Sequence, residues 1–399
     1  MNLIILKYNN RKILDYFKGI TLFLIALAVG CGAGNILGIA AILSLVVCYI
    51  DKNRFSNLKN PYFNKTILLL FLYILIMLLE SYLISNDIGV KYSLRTFEKI
   101  SSFLLIYIFL GHVKNFWIIS IIGVGCGLFI NDIVVFSNYL ASNNERVESL
   151  FGHPNKTGSI MAFIFPFYIY TIDEFKKDKL LLIFSACVII GIIFCLYVSD
   201  SRGSYMAFIA EIICIISLYL YRKKVLKFNI KFFLLIILLI VISIMVYILL
   251  NQRPYDYERV LLWTAAWEMF LDNPVTGVGI SKFNDVYREG YISILAKEPY
   301  LSNPHNLYLD LLSSTGIIGF CSYFALLIWQ CKICLKSSNL IEKNSNSIFS
   351  ISDMFFISII GLLIHNLVDV TSTLRDYMLI YYFMWSLCCW KFKTCINQK

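Results

Sequence analysis

The chain has 399 residues, of which 59% are hydrophobic and only 15% charged, and its mean hydropathy is +0.73. A soluble domain is about half apolar and about a quarter charged, so this composition excludes a soluble globular protein. The net charge of +10 does not indicate nucleic-acid binding, because the basic residues are spread over connectors between apolar runs, as they are in membrane proteins.

Apolar runs long enough to cross a bilayer as helices recur along the whole chain. A helix needs about 20 such residues to span the membrane. We therefore predict an all-α, polytopic integral membrane protein with about 12 transmembrane helices. The predicted spans lie near residues 19–31, 35–50, 66–84, 97–111, 116–136, 156–172, 180–198, 204–221, 232–250, 306–330, 353–370 and 376–391.

The longest polar segment, 251–305, separates the ninth and tenth predicted spans. We predict a single membrane domain, residues 1–399, into which this segment is inserted as one long loop with short helices. The loop carries five basic residues, which are Arg253, Arg259, Lys282, Arg288 and Lys297.

The distribution of Lys and Arg predicts the orientation of the chain. With the N-terminus in the cytoplasm, about two thirds of the 35 Lys and Arg residues fall on the cytoplasmic side, as the positive-inside rule requires. We therefore expect a multi-pass protein of a bacterial inner membrane with both termini cytoplasmic. The 251–305 loop then faces the periplasm.

Arg202 lies in the segment Ser199–Ser204 (SDSRGS), at the predicted outer junction of two long spans. An arginine in this position can extend to the lipid headgroups. Alternatively, its planar guanidinium can bind phosphate oxygens, helped by the free N–H groups of the helix that begins beside it. The residue alone leaves both interpretations open.

The long loop opens with a predicted helix that Asp256 can cap. Arg259, in its first turn, is either a solvated surface residue or a second anion ligand. The pair 273–274 (Asn-Pro) ends the helix, and Gly277 and Gly279 permit a tight turn. An apolar stripe at helical spacing predicts packing on the membrane or on the bundle; it consists of Val260, Leu261, Trp263, Trp267, Phe270 and Leu271.

Two histidines, His153 and His305, lie in segments that we predict to face outward. His305 lies in the segment Asn303–Asn306 (NPHN), where the long loop re-enters the membrane. It is either a helix cap or a general acid or base, because imidazole titrates near neutral pH. His153 also faces outward and precedes a span. His365 and Asp369 lie four residues apart on the eleventh predicted span, as a structural pair or as support for the site.

The sequence has none of the common cofactor or metal motifs. A Walker loop, a glycine-rich dinucleotide turn and a metal-binding helix signature are all missing, and Cys331-x-x-Cys334 has no second ligand pair. We predict neither a cofactor nor a metal ion. Nucleotide sugars are cytoplasmic, whereas the candidate residues face outward. A substrate that already carries its activated bond, such as a polyprenyl-pyrophosphate-linked glycan, therefore fits best.

Four segments of the chain resemble the O-antigen ligase/polymerase superfamily, and within it the O-antigen ligase branch. The most specific pattern combines an Arg and a Trp with Asn-Pro-x-x-Gly-x-Gly, Pro-His-Asn and Gly-Ile-Ile-Gly. The similarity covers roughly residues 90–330, although the segment Tyr287–Pro299 departs from the pattern and leaves acceptor contacts unassigned. The four segments are Gly152–Pro166, Ser199–Phe208, Arg259–Phe283 and Asn303–Phe320.

The resemblance implies an inverting, metal-independent glycosyl transfer at the periplasmic face. The donor would be an undecaprenyl-pyrophosphate-linked glycan and the acceptor the lipid A core of lipopolysaccharide. The functional arginines of the family fall on Arg202 and Arg259, and its functional histidine on His305. We predict these three as catalytic residues, and we predict Arg202, Arg259, His153 and Arg288 as substrate-binding residues.

Two other functions remain open from the sequence. An O-antigen polymerase, or a related surface-glycan transferase of the same superfamily, shares this architecture; the polymerase differs in its acceptor, which is a second lipid-linked glycan. The modest chain length and the single long loop favour the ligase. A polysaccharide transporter would show internal repeats and paired ionisable groups at mid-membrane, but Glu211, the one deep carboxylate singled out, has no obvious partner in the sequence.

Overall fold

A computed structural model of the protein describes residues 2–51, 61–84, 86–106, 113, 115–142, 146–225, 242, 256–341 and 347–397. These residues form helices joined by short connections, and among them the only β-type pairing is a single bridge between Ser149 and Gly152. The helices are α1 (Asn2–Cys31), α2 (Gly34–Ile50), α3 (Pro61–Leu83), α4 (Asp87–Lys99), α5 (Ser101–Leu105), α6 (Phe116–Ala141), α7 (Pro154–Glu174), α8 (Lys179–Ser199), α9 (Arg202–Arg222), α10 (Asp256–Asp272), α11 (Phe283–Val286), α12 (Leu307–Ile341), α13 (Ile351–His365) and α14 (Arg375–Asn397).

Six helical segments within the described residues are long and apolar enough to cross a membrane, and α2 and α13 are shorter apolar helices. This confirms a polytopic all-α membrane protein, whereas the count of twelve spans stays a prediction. The ninth predicted span, 232–250, lies outside the described residues apart from residue 242. The six segments are Ile13–Cys31, Tyr62–Leu83, Phe116–Ala141, Lys179–Ser199, Arg202–Arg222 and Leu307–Ser338.

The fourth predicted span, 97–111, does not begin as predicted. Helix α4 ends at Lys99, Ile100 interrupts it, and the separate short helix α5 follows. The Lys99 ammonium donates to the carbonyl of Thr373 (3.2 Å) and lies 3.5 Å from the centroid of the Tyr92 ring. A cation at this position needs protein partners, which is why it belongs to a helix that packs against the protein. Residues 107–111 lie outside the described part of the chain.

Helix α7 is the centre of the bundle. Every residue from 157 to 168 is buried, and the helix packs against α8, α9 and α13. A helix that is apolar on all sides is expected to be surrounded by protein. Its first turn lies at the same end of the bundle as the first turns of α9 and α12 and the last turn of α13. We call this end of the bundle the site end.

Helix α12 is broken at Gly316, where φ is 59° and ψ is −165°. The turn that follows α10 docks onto this break through backbone groups that the helix can no longer pair internally. Three hydrogen bonds join them: the N–H of Ile317 to the carbonyl of Pro274 (2.9 Å), that of Val278 to Ser313 (2.8 Å) and that of Gly279 to Ser314 (3.0 Å).

Two glycines make this backbone contact possible. A Cβ on Gly277 would lie 2.5 Å from the carbonyl carbon of Ser314, and a Cβ on Gly316 would collide with the carbonyl of Val275. Both glycines also have positive φ, a conformation that disfavours other residues. The Asn-Pro-x-x-Gly-x-Gly segment therefore fixes α10 to α12.

We expect Gly316→Ala to destabilise the protein by more than the about 1–3 kcal/mol that a left-handed non-glycine residue costs, because the backbone contact is lost as well. The measurement is the thermal unfolding of purified protein. Gly290→Ala in the long loop is the matched control, since nothing lies within 4 Å of a Cβ at Gly290. Equal melting temperatures for the two variants would contradict the assignment.

Candidate functional site

The turn between α8 and α9 places Arg202 at the site end. Asp200 reverses the chain with a φ of 42°, and the Ser201 hydroxyl accepts from the N–H of Ser204 (3.4 Å) at the start of α9. Arg202 forms a bidentate ion pair with Asp256, to which both terminal nitrogens donate; Nη1 donates to Oδ2 at 2.9 Å. Arg202 therefore faces α10, and Asp256 serves as its ion-pair partner.

Arg259 follows Asp256 by one turn of α10. Its Nη1 donates to the carbonyl of Val368 (2.9 Å), in the connection between α13 and α14. The predicted span 353–370 thus ends early, because α13 stops at His365. The residues after it are available to line the site.

A third arginine, Arg146, completes the cation set. It precedes α7, and its Nε donates to the carbonyl of Ser199 (2.7 Å) while Nη2 donates to the side chain of Asn155. Together with Arg202 and Arg259 it lines a cavity of about 160 Å³. Sequence reasoning missed Arg146, because no motif surrounds it; the available signal was its place in the same predicted outer segment as His153.

Asp369 is the carboxylate that is hydrogen-bonded to several groups of the site. Its Oδ1 lies 3.2 Å from Nδ1 of His305 and accepts from the N–H of Val370 (2.8 Å), while Oδ2 accepts from the Asn155 amide (2.5 Å). Burial raises the pKa of Asp369, whereas the hydrogen bonds from His305 and Val370 lower it by more, so that this pKa lies well below its usual range. The carboxylate is ionised at neutral pH.

The backbone around His305 is held tightly. His305 has a φ of 49°, a conformation that is uncommon outside glycine and is found at constrained functional positions. Its N–H donates to Asn303 (2.9 Å), and the Trp263 indole donates to the carbonyl of Pro304 (2.9 Å). Asn306 caps α12 by accepting from the N–H of Leu309 (3.1 Å), so His305 is not the cap.

The tautomer of His305 follows from its partner. An ionised carboxylate only accepts hydrogen bonds, so Nδ1 of His305 carries the proton in the bond to Asp369. In the neutral ring Nε2 is then the basic nitrogen. The side chain is 26% exposed. His305 is not among the residues that line the arginine cavity, to which it is joined through its bond to Asp369.

His153 and His365 have supporting positions. His153 caps α7, because its Nδ1 accepts from the N–H of Asn155 (3.2 Å); burial and the charge of Arg146 lower its pKa. His365 lines the cavity and shares a hydrogen bond with Thr371 (3.2 Å). The histidine that is hydrogen-bonded to Asp369 is thus His305, and not His365, which lies four residues before Asp369 in the sequence.

Arg288 lies elsewhere. It belongs to a π-helical turn, Tyr287–Tyr291, and its guanidinium stacks 4.8 Å from the centroid of the Tyr300 ring. It is not among the residues that line the arginine cavity. Its contact with a substrate stays a prediction, and so does that of His153.

Residues 186–324 match a family model described as O-Antigen ligase. Over these residues the chain is similar to the O-antigen ligase family. The matched residues make up roughly a third of the chain, and a comparison with curated proteins found no match.

The O-antigen ligase match begins in α8 and ends in α12, so it contains Arg202, Arg259 and His305. It contains neither Arg146 nor Asp369, which reach the cavity from both sides of the matched segment. Members of this superfamily are glycosyltransferase-like enzymes, and the family implies a lipid-linked glycan as substrate.

Proposed function

We propose that this protein is an O-antigen ligase. It moves a polysaccharide from undecaprenyl pyrophosphate to the lipid A core of lipopolysaccharide at the periplasmic face of the inner membrane, with both termini in the cytoplasm. The proposal rests on a cavity that is lined by three arginines. Asp369 also lines this cavity, and its hydrogen bond to His305 orients the imidazole ring. The family match supplies the class of substrate.

The arginines bind the diphosphate of the donor. Guanidinium groups match phosphate oxygens in pairs, and Arg202 stands at the first turn of α9, where free N–H groups also favour an anion. We assign the stabilisation of the leaving diphosphate to Arg202, Arg259 and Arg146, and to no metal ion. Preorganised donors of this kind supply the largest single contribution in many transfers.

His305 activates the acceptor. The acceptor hydroxyl attacks the anomeric carbon from the face opposite the diphosphate, and its proton passes to Nε2 of His305. The bond between the anomeric carbon and the diphosphate oxygen breaks, and its electron pair leaves with the diphosphate. One displacement of this kind inverts the anomeric centre. Asp369 stabilises the imidazolium that forms, the role a carboxylate has beside a catalytic histidine.

A deletion strain tests the assignment of the acceptor. We expect it to lose all long-chain lipopolysaccharide while the polymer linked to undecaprenyl pyrophosphate persists. Gel banding of lipopolysaccharide is the measurement. A strain that keeps one repeat unit attached to lipid A core would instead identify a polymerase, and loss of long-chain lipopolysaccharide with the polymer retained on the cytoplasmic side would identify a transporter.

Arg146→Ala should raise KM for the lipid-linked donor by about tenfold or more, the effect of losing a hydrogen bond to a charged group. Arg146→Lys should recover part of the loss, because it restores the charge but not the planar fork. The KM for the acceptor is the internal control and should not change. An unaltered donor KM would mean that Arg146 only braces Ser199 and Asn155.

A further inference from the structure

Helix α10 has two different faces. The face that packs on the protein consists of small and apolar residues with one buried carboxylate, and it covers Phe283 and Tyr287. The opposite face is exposed and carries large apolar residues, with the exposed carboxylates Glu268 and Asp272 beside them. Its exposed apolar residues recur at helical spacing, which is the pattern of a single stripe; they are Tyr257 (50% exposed), Val260 (50%), Trp267 (46%) and Leu271 (57%).

Thr264 lies within this stripe, and its hydroxyl is satisfied inside the helix. The Thr264 hydroxyl donates to the carbonyl of Val260 (3.0 Å), inside its own helix. A threonine bonded in this way can enter an apolar environment without leaving a donor unpaired. The sequence-predicted stripe also included Leu261, Trp263 and Phe270, which are half-buried; the residues that pack on the bundle are Glu258, Leu262, Ala265, Ala266 and Met269.

The first end of α10 is tied to the start of a spanning helix. Asp256, its first residue, pairs with Arg202, the first residue of α9. The span Arg202–Arg222 has 21 residues, or about 32 Å at 1.5 Å per residue. That length matches the hydrocarbon thickness of about 30 Å, so Arg202 marks one boundary of the bilayer.

The C-terminal end of α10 is bound to α12 at the same depth in the membrane. The segment Leu307–Ser338 has 32 residues and is too long for the hydrocarbon layer, but the part from Ile317 to Ser338 measures about 33 Å. Exposed apolar residues on α12 begin at that point, with Ile317 and Ile318. The N–H of Ile317 bonds to Pro274 just after α10, so this end of the helix also lies at the boundary.

We infer that α10 lies along the surface of the bilayer, with Tyr257, Val260, Trp267 and Leu271 inserted into the outer part of the leaflet at the site end. Exposed Val275 follows this stripe and lies beside Gly316, next to the exposed Ile317 and Ile318 of α12, so α10 ends next to the lipid-facing side of a spanning helix. Tyrosine and tryptophan are the residues that favour this depth. An amphipathic helix in the interface buries its apolar face by a few ångströms in this way.

The position of α10 also bears on how the lipid-linked donor reaches the site, a step that rests on the proposed function. Arg202 pairs with Asp256 at the start of α10, and Arg259 lies in the first turn of α10, so a helix held at headgroup depth holds the cavity there too. The diphosphate of a lipid-linked donor sits at that depth and can reach the arginines without leaving the membrane.

Quenching of Trp267 by brominated lipids tests the insertion. Protein is reconstituted in vesicles of phosphatidylcholine brominated either near the glycerol or near the chain end, and the emission of Trp267→Phe is subtracted from that of the wild type. We expect most of the Trp267 emission to be lost with bromine near the glycerol and less with bromine near the chain end. Trp263→Phe is the control on the same helix, because Trp263 is bonded to Pro304 and its emission should persist.

A second variant, Val260→Trp, adds an indole to the same stripe, and its added emission should be quenched in the same way. Quenching of Trp267 by iodide but not by lipid would place the stripe in water and overturn the inference. Protection from both quenchers would mean that a second copy of the chain covers it, which also overturns the inference. The measurement needs no substrate, so it can succeed or fail independently of the proposed transfer.

Discussion

His305→Ala should lower glycan transfer by about 10²–10⁴, the contribution of general base catalysis. The acceptor hydroxyl is a poor nucleophile until its proton is withdrawn, and Nε2 of His305 is the base that the bond to Asp369 prepares. Initial rates with purified protein, a lipid-linked donor and lipid A core acceptor are the measurement. Binding of the donor should be retained.

The left-handed backbone of His305 requires a matched control. At a φ of 49°, alanine is tolerated less well than histidine, so His305→Ala can lose stability as well as the base. Asparagine tolerates this conformation best among the polar residues, so His305→Asn should keep the melting temperature and still be inactive. His305→Gln keeps hydrogen bonding but cannot take the proton. If either amide variant transfers glycan at the wild-type rate, His305 only positions the acceptor.

Arg202→Ala and Arg259→Ala should each lower turnover by about 10²–10³, the scale of losing one preorganised donor to developing charge. Lysine should restore only part of the activity, because it lacks the bidentate fork. Lys297→Ala is the control, since it removes one positive charge from the same loop. Turnover is the measurement, at matched protein levels in the membrane.

Arg202→Ala also leaves its partner Asp256 without the ion pair. The double variant Arg202→Ala/Asp256→Ala separates the two effects: it should recover stability but not activity. Recovery of activity in the double variant would mean that Arg202 acts only by holding α10. Full activity of both single alanine variants would remove the arginines from the mechanism.

The sequence predicts the placement of Arg202, Arg259 and His305 on one side of the membrane, because hydropathy alone locates the ends of the spans. It does not predict what joins them. Asp369 meets His305 across 64 residues, and Asn155 links Asp369 to Arg146. Such contacts depend on how the helices pack against one another. That packing cannot be deduced from the spacing or the types of the residues.

Tertiary contacts also give a second role to residues that the sequence assigns to a helix cap or a turn. Asp256 has the position of a helix cap, but an arginine from a distant helix is a stronger partner for a carboxylate than a backbone N–H. Gly277 was predicted to allow a tight turn, and its lack of a Cβ also allows the turn to dock on α12. The break at Gly316 was not predicted, because an isolated glycine inside a helical pattern is tolerated without a break.

The interfacial stripe of α10 shows why a helical pattern alone does not fix the buried side. The bulky residues suggest the face that packs, yet small residues such as Ala265 and Ala266 form the tight contact with the bundle. Small side chains allow helices to approach closely. Large ones are then left for the lipid.

Reconstituted transfer tests the central claim most directly. Purified protein in vesicles is given an undecaprenyl-pyrophosphate-linked glycan and lipid A core, with a chelator and without nucleotide, and the products are separated by size. The proposed mechanism predicts glycan joined to lipid A core together with release of undecaprenyl pyrophosphate, and no product from His305→Asn protein. Longer lipid-linked glycan in place of ligated lipid A core, or transfer that requires an added divalent metal, would contradict it.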